Sequence, residues 1–206
     1  MSSLKPDNAI EIFLQPGEWY FGDRDTRIRT VLGSCVSMVF WHPKLHIGGM
    51  CHYMLPHRPH REFGDLDGRY GDEAVALMFR EMRQSGTLPT DYQVKLFGGA
   101  NMFAHARGKG ADPGHVGLRN VEAAREIVKA HGLICACEHM AGVGHRNVIF
   151  DVWSGNVWVR HQDLLRSERV AVGADHGLAC ITLDRLPGAA RTVSADRMAR
   201  TAEQKS

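Results

Sequence analysis

The clearest periodic signal in the chain is helical. Val75, Met78, Phe79 and Met82 fall at i, i+3, i+4 and i+7 and make one apolar stripe. Asp72 is the expected cap of that helix, which runs to about Ser85, and Gly86 ends it. A second helix is expected from Asn120, a capping residue type, to about His131, with Val121, Ala124 and Val128 inward and Gly132 at its end. The other apolar segments read as strands. Residues 9–22 alternate weakly around Pro16-Gly17, a short strand and a turn. Residues 28–41 read as a loop feeding a buried strand, 46–55 as a second strand, 92–97 as a third that Gly98-Gly99 breaks, and 133–138 as a fourth. Residues 148–153 and 157–160 form a hairpin around Ser154-Gly155-Asn156. Polar loops over 56–71 and 104–118 separate these elements, and loops of that length inside a domain are often functional. Hairpin-joined strands with two separate helices predict an α+β fold rather than a repeating βαβ one. A single domain is expected over 1–186. The small, polar and charged residues of 187–206 predict a flexible C-terminal tail.

Composition narrows the function classes. The chain has 206 residues, 44% apolar and 23% charged, enough for a sizeable core. A net charge of +2 gives no argument for nucleic acid or for an anionic membrane surface. No apolar run approaches the roughly 18 residues a membrane helix needs. The stretch Met1–Asp7 lacks a signal pattern, so a cytoplasmic location is expected. The five cysteines are an odd number, which argues against a disulfide framework. They are therefore buried thiols, metal ligands or nucleophiles.

One cysteine has a partner by strand arithmetic. His42-Pro43-Lys44-Leu45 is a plausible turn, with Pro at its second position. A turn centred between Pro43 and Lys44 pairs residues whose numbers sum to 87, which sets Cys35 directly opposite His52. Their Cβ atoms would then lie roughly 4.5–5.5 Å apart on a shared face. Val36, Met38, Phe40, Ile47, Gly49 and Cys51 would line the other, more apolar face. A thiol beside an imidazole is the minimum equipment for nucleophilic attack on an amide or ester. Gly33-Ser34 lets the backbone bend just before the thiol and leaves N–H groups to hold an oxyanion. The same residues also fit a small core cysteine, a hydrogen-bonded strand histidine and a turn glycine.

Other clusters have plainer readings. His52, His57 and His60 lack a carboxylate or thiol at metal-site spacing. Cys135-Ala136-Cys137 places two thiols on one strand face, with no second pair to complete a zinc site. Gly98-Gly99 and Gly108-x-Gly110 lack the phosphate-loop pattern. Arg107 and Lys109 fit a solvated loop as well as an acidic partner.

A resemblance adds the chemistry. Thr30-Val31-Leu32-Gly33-Ser34-Cys35-Val36 and Ile47-Gly48-Gly49-Met50-Cys51-His52-Tyr53-Met54-Leu55-Pro56 resemble the signature of the CheD family, the chemoreceptor glutamine deamidases of bacterial chemotaxis. Arg69–Ala74, Phe97–Phe103 and Gly117–Val121 are similar to further family blocks, in the family's order. The resemblance implies Cys35 as nucleophile, His52 as general base and Thr30 as the third member that orients the imidazole. In some members that Thr falls where this chain has Arg29. Ser34 and Gly33 would shape the oxyanion site. One stretch departs: the family's Asp-x-Gly-Gly-Asn pattern before an Arg reads here His139-Met140-Ala141-Gly142-Val143-Gly144-His145-Arg146, where only Gly142 and Arg146 match.

The implied fold is a pair of β-sandwich-like sheets flanked by helices, layered α/β/β/α, similar to the cytotoxic necrotizing factor deamidases. The implied reaction is hydrolysis of receptor glutamine side chains to glutamate through a Cys35 thioester, with no metal or organic cofactor. The implied partners are methyl-accepting chemotaxis receptors, through their cytoplasmic helical bundle, and a CheC-type phosphatase, with recruitment to receptor arrays. No nucleic acid or membrane insertion is expected. The alternative is a receptor-binding adaptor, or a CheC-regulating partner, with weak or no catalysis. A toxin-like deamidase on another target ranks below both.

Overall fold

The computed structural model describes residues 5–59, 64–102 and 116–162, and the backbone of 180–181 and 192–193. Two sheets stack face to face. The first joins β1 (Ile10–Phe13), β3 (Thr26–Leu32), β8 (His145–Asp151) and β9 (Asn156–Gln162), with two-residue strands β10 (Cys180–Ile181) and β11 (Thr192–Val193) at its edges, in the order β10-β9-β8-β3-β1-β11. The second runs β2-β5-β4-β6-β7, from β2 (Trp19–Gly22), β5 (Ile47–Tyr53), β4 (Val36–His42), β6 (Gln93–Gly98) and β7 (Ile134–Met140). Helices α1 (Gly71–Gln84) and α2 (Val116–Ala130) both pack on the second sheet. The described residues thus form α/β/β layers of an α+β fold. The outer helical layer expected beyond the first sheet is not found among them.

Alternation along the central strands builds two cores. Val36, Met38, Phe40 and Cys51 point toward the helices and meet Ala74, Val75, Met78, Phe79, Met82 and Ala124. Val39 and Met50 point the other way and meet Ile12, Leu14, Ile28, Leu32, Val148 and Phe150 of the first sheet. The stripe expected on α1 is the buried one.

Four expectations need correction. Residues 28–32 belong to strand β3 rather than to a loop, because β3 pairs with β1 and β8 on both edges. Asp72 is no side-chain cap: Tyr70 takes the N-cap position with no side-chain bond, and Asp72 Oδ1 accepts from the Glu73 N–H within the first turn. Asn120 does not cap α2 either. The helix starts at Val116, and Asn120 lies inside it, fully buried. Cys135 and Cys137 do not share a face. The pairing of β6 with β7 slips between Val94 and Lys95, so Cys135 sits opposite Val94 and Cys137 opposite Lys95. The extra residue Ala136 is a bulge, and a bulge reverses the alternation. The tail expected over 187–206 lies outside the described residues, apart from β11.

Candidate active site

The site grows out of the β4–β5 hairpin, whose register differs from the arithmetic. The loop is four residues wide, Pro43 to His46, with His46 in a left-handed conformation (φ 53°). The His42 imidazole organises it, its Nδ1 accepting from the N–H groups of Lys44 and Leu45, both at 3.2 Å. The centre therefore moves by one residue, and paired numbers sum to 89: Ser37 faces His52, and Met38 faces Cys51. Cys35 is not directly opposite His52. It lies just before β4, diagonal to His52 and on the same face, because a shift of two keeps the alternation intact. The two sets of faces are therefore as the alternation predicts.

Residues 33–35 form a bend between β3 and β4, and each of its carbonyls is held. Gly33 O accepts from Ala100 N at 2.8 Å, and Cys35 O accepts from Gly99 N at 2.7 Å. Ser34 O accepts from Asn120 Nδ2 at 3.0 Å. This close packing of backbones explains Gly98, which has φ 107°. A Cβ there would sit 2.2 Å from the Cys35 oxygen. Gly98-Gly99 is thus a close backbone contact with the thiol-bearing bend.

His52 is 2% exposed, and its environment decides its tautomer. Its Nδ1 lies 2.7 Å from Thr30 Oγ1. The Thr30 hydroxyl has one proton and donates it to Leu14 O at 2.9 Å. The bond to Thr30 must then be donated by His52, so Nδ1 carries the ring proton and Nε2 presents a lone pair. Nε2 is buried and has no hydrogen-bond partner. Burial pulls the imidazole pKa down to about 4, against a smaller upward effect of the Leu14 carbonyl. Burial likewise raises the Cys35 thiol, which its own backbone N–H partly offsets. Both shifts favour a neutral thiol and a neutral imidazole at rest. Arg29, the alternative third member, points elsewhere, its Nη1 bonding Glu11 at 2.5 Å.

A cavity of about 440 Å³ opens beside Ser34, lined by residues such as Gly99, Asn101, Leu118 and Gly142. Of the two long polar loops, 104–118 contributes residues 116–118 to this lining, while Arg107, Lys109 and His60 lie outside the described residues. The departing stretch supplies another wall. Ala141 takes a left-handed conformation (φ 61°) and Gly142 follows at φ 76°. Arg146 lies beneath this turn, 2% exposed, donating from Nε to His139 Nδ1 at 2.7 Å and from Nη2 to Ala141 O.

Sequence reasoning missed three contributors. The Leu14 carbonyl has no side-chain signal at all. Ser37, opposite His52, donates to Cys51 O at 2.6 Å. Asn120 did leave a signal: it is a polar residue beside the inward positions Val121 and Ala124.

The chain is similar to known proteins over most of its length. The family model described as CheD chemotactic sensory transduction matches residues 54–161, a span that begins two residues after His52. A Pseudomonas syringae pv. tomato protein named "Probable chemoreceptor glutamine deamidase CheD" is 51% identical over 81% of this chain and 98% of its own length. "Probable chemoreceptor glutamine deamidase CheD 3" of Dechloromonas aromatica is 48% identical over 76% of this chain and 91% of its own.

Proposed function

Because the chain belongs to the CheD family, we propose that it deamidates glutamine side chains of chemoreceptors, with Cys35 as nucleophile, His52 as general base and Thr30 orienting the imidazole. The observation that carries this reading is the unpartnered Nε2 of His52, held as a lone pair by the Thr30–Leu14 relay on the face shared with Cys35.

The neutral pair fits general-base attack. His52 Nε2 takes the thiol proton as Cys35 Sγ bonds to the glutamine carbonyl carbon, so charge appears only as the bond forms. The carbonyl oxygen becomes an oxyanion, for which backbone N–H groups of the Gly33–Cys35 bend are the donors. The imidazolium returns its proton to the departing nitrogen, and ammonia leaves as the thioester forms. Water then gives a proton to His52 and attacks the thioester carbon. Glutamate is released, and the proton returns to the Cys35 sulfur. Thr30 holds Nδ1–H throughout, the orienting role of a third group in triads.

The substrate reading follows the relatives' names. A glutamine on a receptor helix needs a shallow open site, and the cavity beside Ser34 suits a side chain presented from a larger surface. The described residues contain no helix long and apolar enough to cross a membrane. Recruitment to receptor arrays and binding of a CheC-type phosphatase are further parts of this proposal, carried by the family resemblance.

The test is mass spectrometry of a receptor cytoplasmic fragment incubated with the protein, reading Gln-to-Glu conversion and ammonia release. Cys35→Ala is expected to abolish both while keeping its fold. Undiminished conversion by that variant sinks the nucleophile assignment. Full chemotactic function in a Cys35→Ala strain would favour an adaptor role instead.

A further inference from the structure

The amide of Asn120 ties together two segments that the proposed chemistry needs in register. Its Nδ2 donates to Ser34 O at 3.0 Å and to Met54 O at 2.8 Å. Ser34 precedes the nucleophile, and Met54 follows the base-bearing strand. The helix end of this tie is fixed as well, since Tyr53 Oη donates to Asn120 O at 2.6 Å. Asn120 is fully buried, and its Oδ1 has no partner. An asparagine is a modest helix former, and an unpaired buried acceptor is destabilising. Both features weigh against a role in helix stability. What the residue supplies is its pair of donors.

Peptide geometry converts one of those donors into a catalytic constraint. In a planar trans peptide the C=O and N–H point in opposite directions. Drawing the Ser34 carbonyl toward α2 turns the Cys35 N–H away from α2. Gly33 O and Cys35 O are held by the backbone N–H groups of Ala100 and Gly99, so within the described bend only the Ser34 carbonyl is held by a side chain.

We propose that Asn120 is a positioning residue that orients the Ser34–Cys35 peptide so that the Cys35 N–H faces the oxyanion formed on the substrate amide. This rests on the reading of Cys35 as nucleophile. Asn120 touches no substrate; it acts through the Ser34 carbonyl.

The experiment compares the full-length parent with Asn120→Ala, Asn120→Asp and Cys35→Ala, using ammonia release from a receptor cytoplasmic fragment. A second readout is alkylation of Cys35 by iodoacetamide, which forms no oxyanion. Asn120→Ala is expected to lower kcat by about tenfold or more, with KM and the alkylation rate within about threefold of the parent. In Asn120→Asp a protonated carboxyl can still donate one bond. Its kcat relative to the parent should fall as pH rises from about 5 to about 8 and that proton is lost. Unchanged kcat in Asn120→Ala overturns the proposal. Parallel loss of kcat and alkylation also overturns it, since the residue would then hold the thiol–imidazole pair itself. If Asn120→Ala does not fold, the Asp variant decides: a pH-independent ratio overturns the proposal. Activity in Cys35→Ala would remove the nucleophile reading beneath it, whereas an inactive Cys35→Ala beside a fully active Asn120→Ala sinks only the inference.

Discussion

Two imidazoles in this molecule, His52 buried and His139 partly buried, share a pKa lowered to about 4 and differ in what they can do. His52 and His139 are both pulled down mainly by burial. His139 is also pushed down by the neighbouring Arg146 and, less, by His161. Their tautomers are opposite. His52 donates from Nδ1 to Thr30 and keeps a free lone pair on Nε2. His139 accepts from Arg146 at Nδ1, so its lone pair is occupied and its proton is on Nε2. Arg146 stays charged at neutral pH, its pKa lowered by burial to about 10. A depressed pKa by itself therefore does not mark a base. The neighbour that claims or frees the lone pair decides it.

The largest test of this contrast removes the free lone pair. His52→Gln, like Cys35→Ala, is expected to lower deamidation by about a thousandfold or more, read as ammonia release from a receptor fragment. His139→Asn should leave kcat within about threefold, because it removes a lone pair already in use. Equal losses in the two histidine variants would erase the distinction.

Thr30→Val comes next. It keeps the shape but removes the hydroxyl that links Nδ1 to Leu14. A loss of about tenfold to a hundredfold in kcat is expected, as for partners that orient a catalytic ring. Nitrogen chemical shifts of His52 offer a direct check: Nδ1–H should dominate in the parent and lose that dominance in Thr30→Val.

The pH behaviour separates the two sites further. For each histidine the folded pKa, about 4, lies below the ordinary value of 6.5. The unfolded chain therefore binds more protons between those values, and stability is lost as pH falls through that window. Together the two groups contribute on the order of a few kcal/mol near neutral pH. His139→Asn should flatten part of the fall in Tm between about pH 6.5 and 4, with little change in activity. The raised Cys35 pKa predicts that iodoacetamide alkylation keeps rising with pH beyond neutrality. A plateau reached near pH 4 would instead reveal a preformed thiolate–imidazolium pair.

The smallest effect lies in the turn over Arg146. Ala141 holds a left-handed φ of 61°, which costs a non-glycine residue about 1–2 kcal/mol. Ala141→Gly is expected to change stability by no more than about 1 kcal/mol in the favourable direction, after the extra entropy of glycine is counted, measured as Tm.

The elements were largely legible in the chain. The α1 stripe, the hairpin around Ser154-Gly155-Asn156 and the two faces of β4 and β5 follow from periods of 3.6 and 2, which depend on local geometry. The hairpin register was legible only to the nearest two residues, because the His42 imidazole widens the turn through bonds that no turn propensity encodes. Strand β3 was hidden because its longer pairing is with β8, which lies far away in the chain. Asn120 read as a cap because asparagine is one elsewhere; here its two acceptors come from segments 66 and 86 residues distant.

Periodicity and residue type sufficed for the α+β class and for the apolar and polar faces of the central hairpin, and the family resemblance added Thr30 to the candidates Cys35 and His52. Which nitrogen of His52 is free emerged from the packed fold alone, because it depends on where the Thr30 hydroxyl sends its single proton. The answer is the carbonyl of Leu14, a backbone atom that any residue would carry, placed there by the pairing of β1 with β3. Periodicity is written in residue types, but a tautomer is written in the positions of neighbouring atoms.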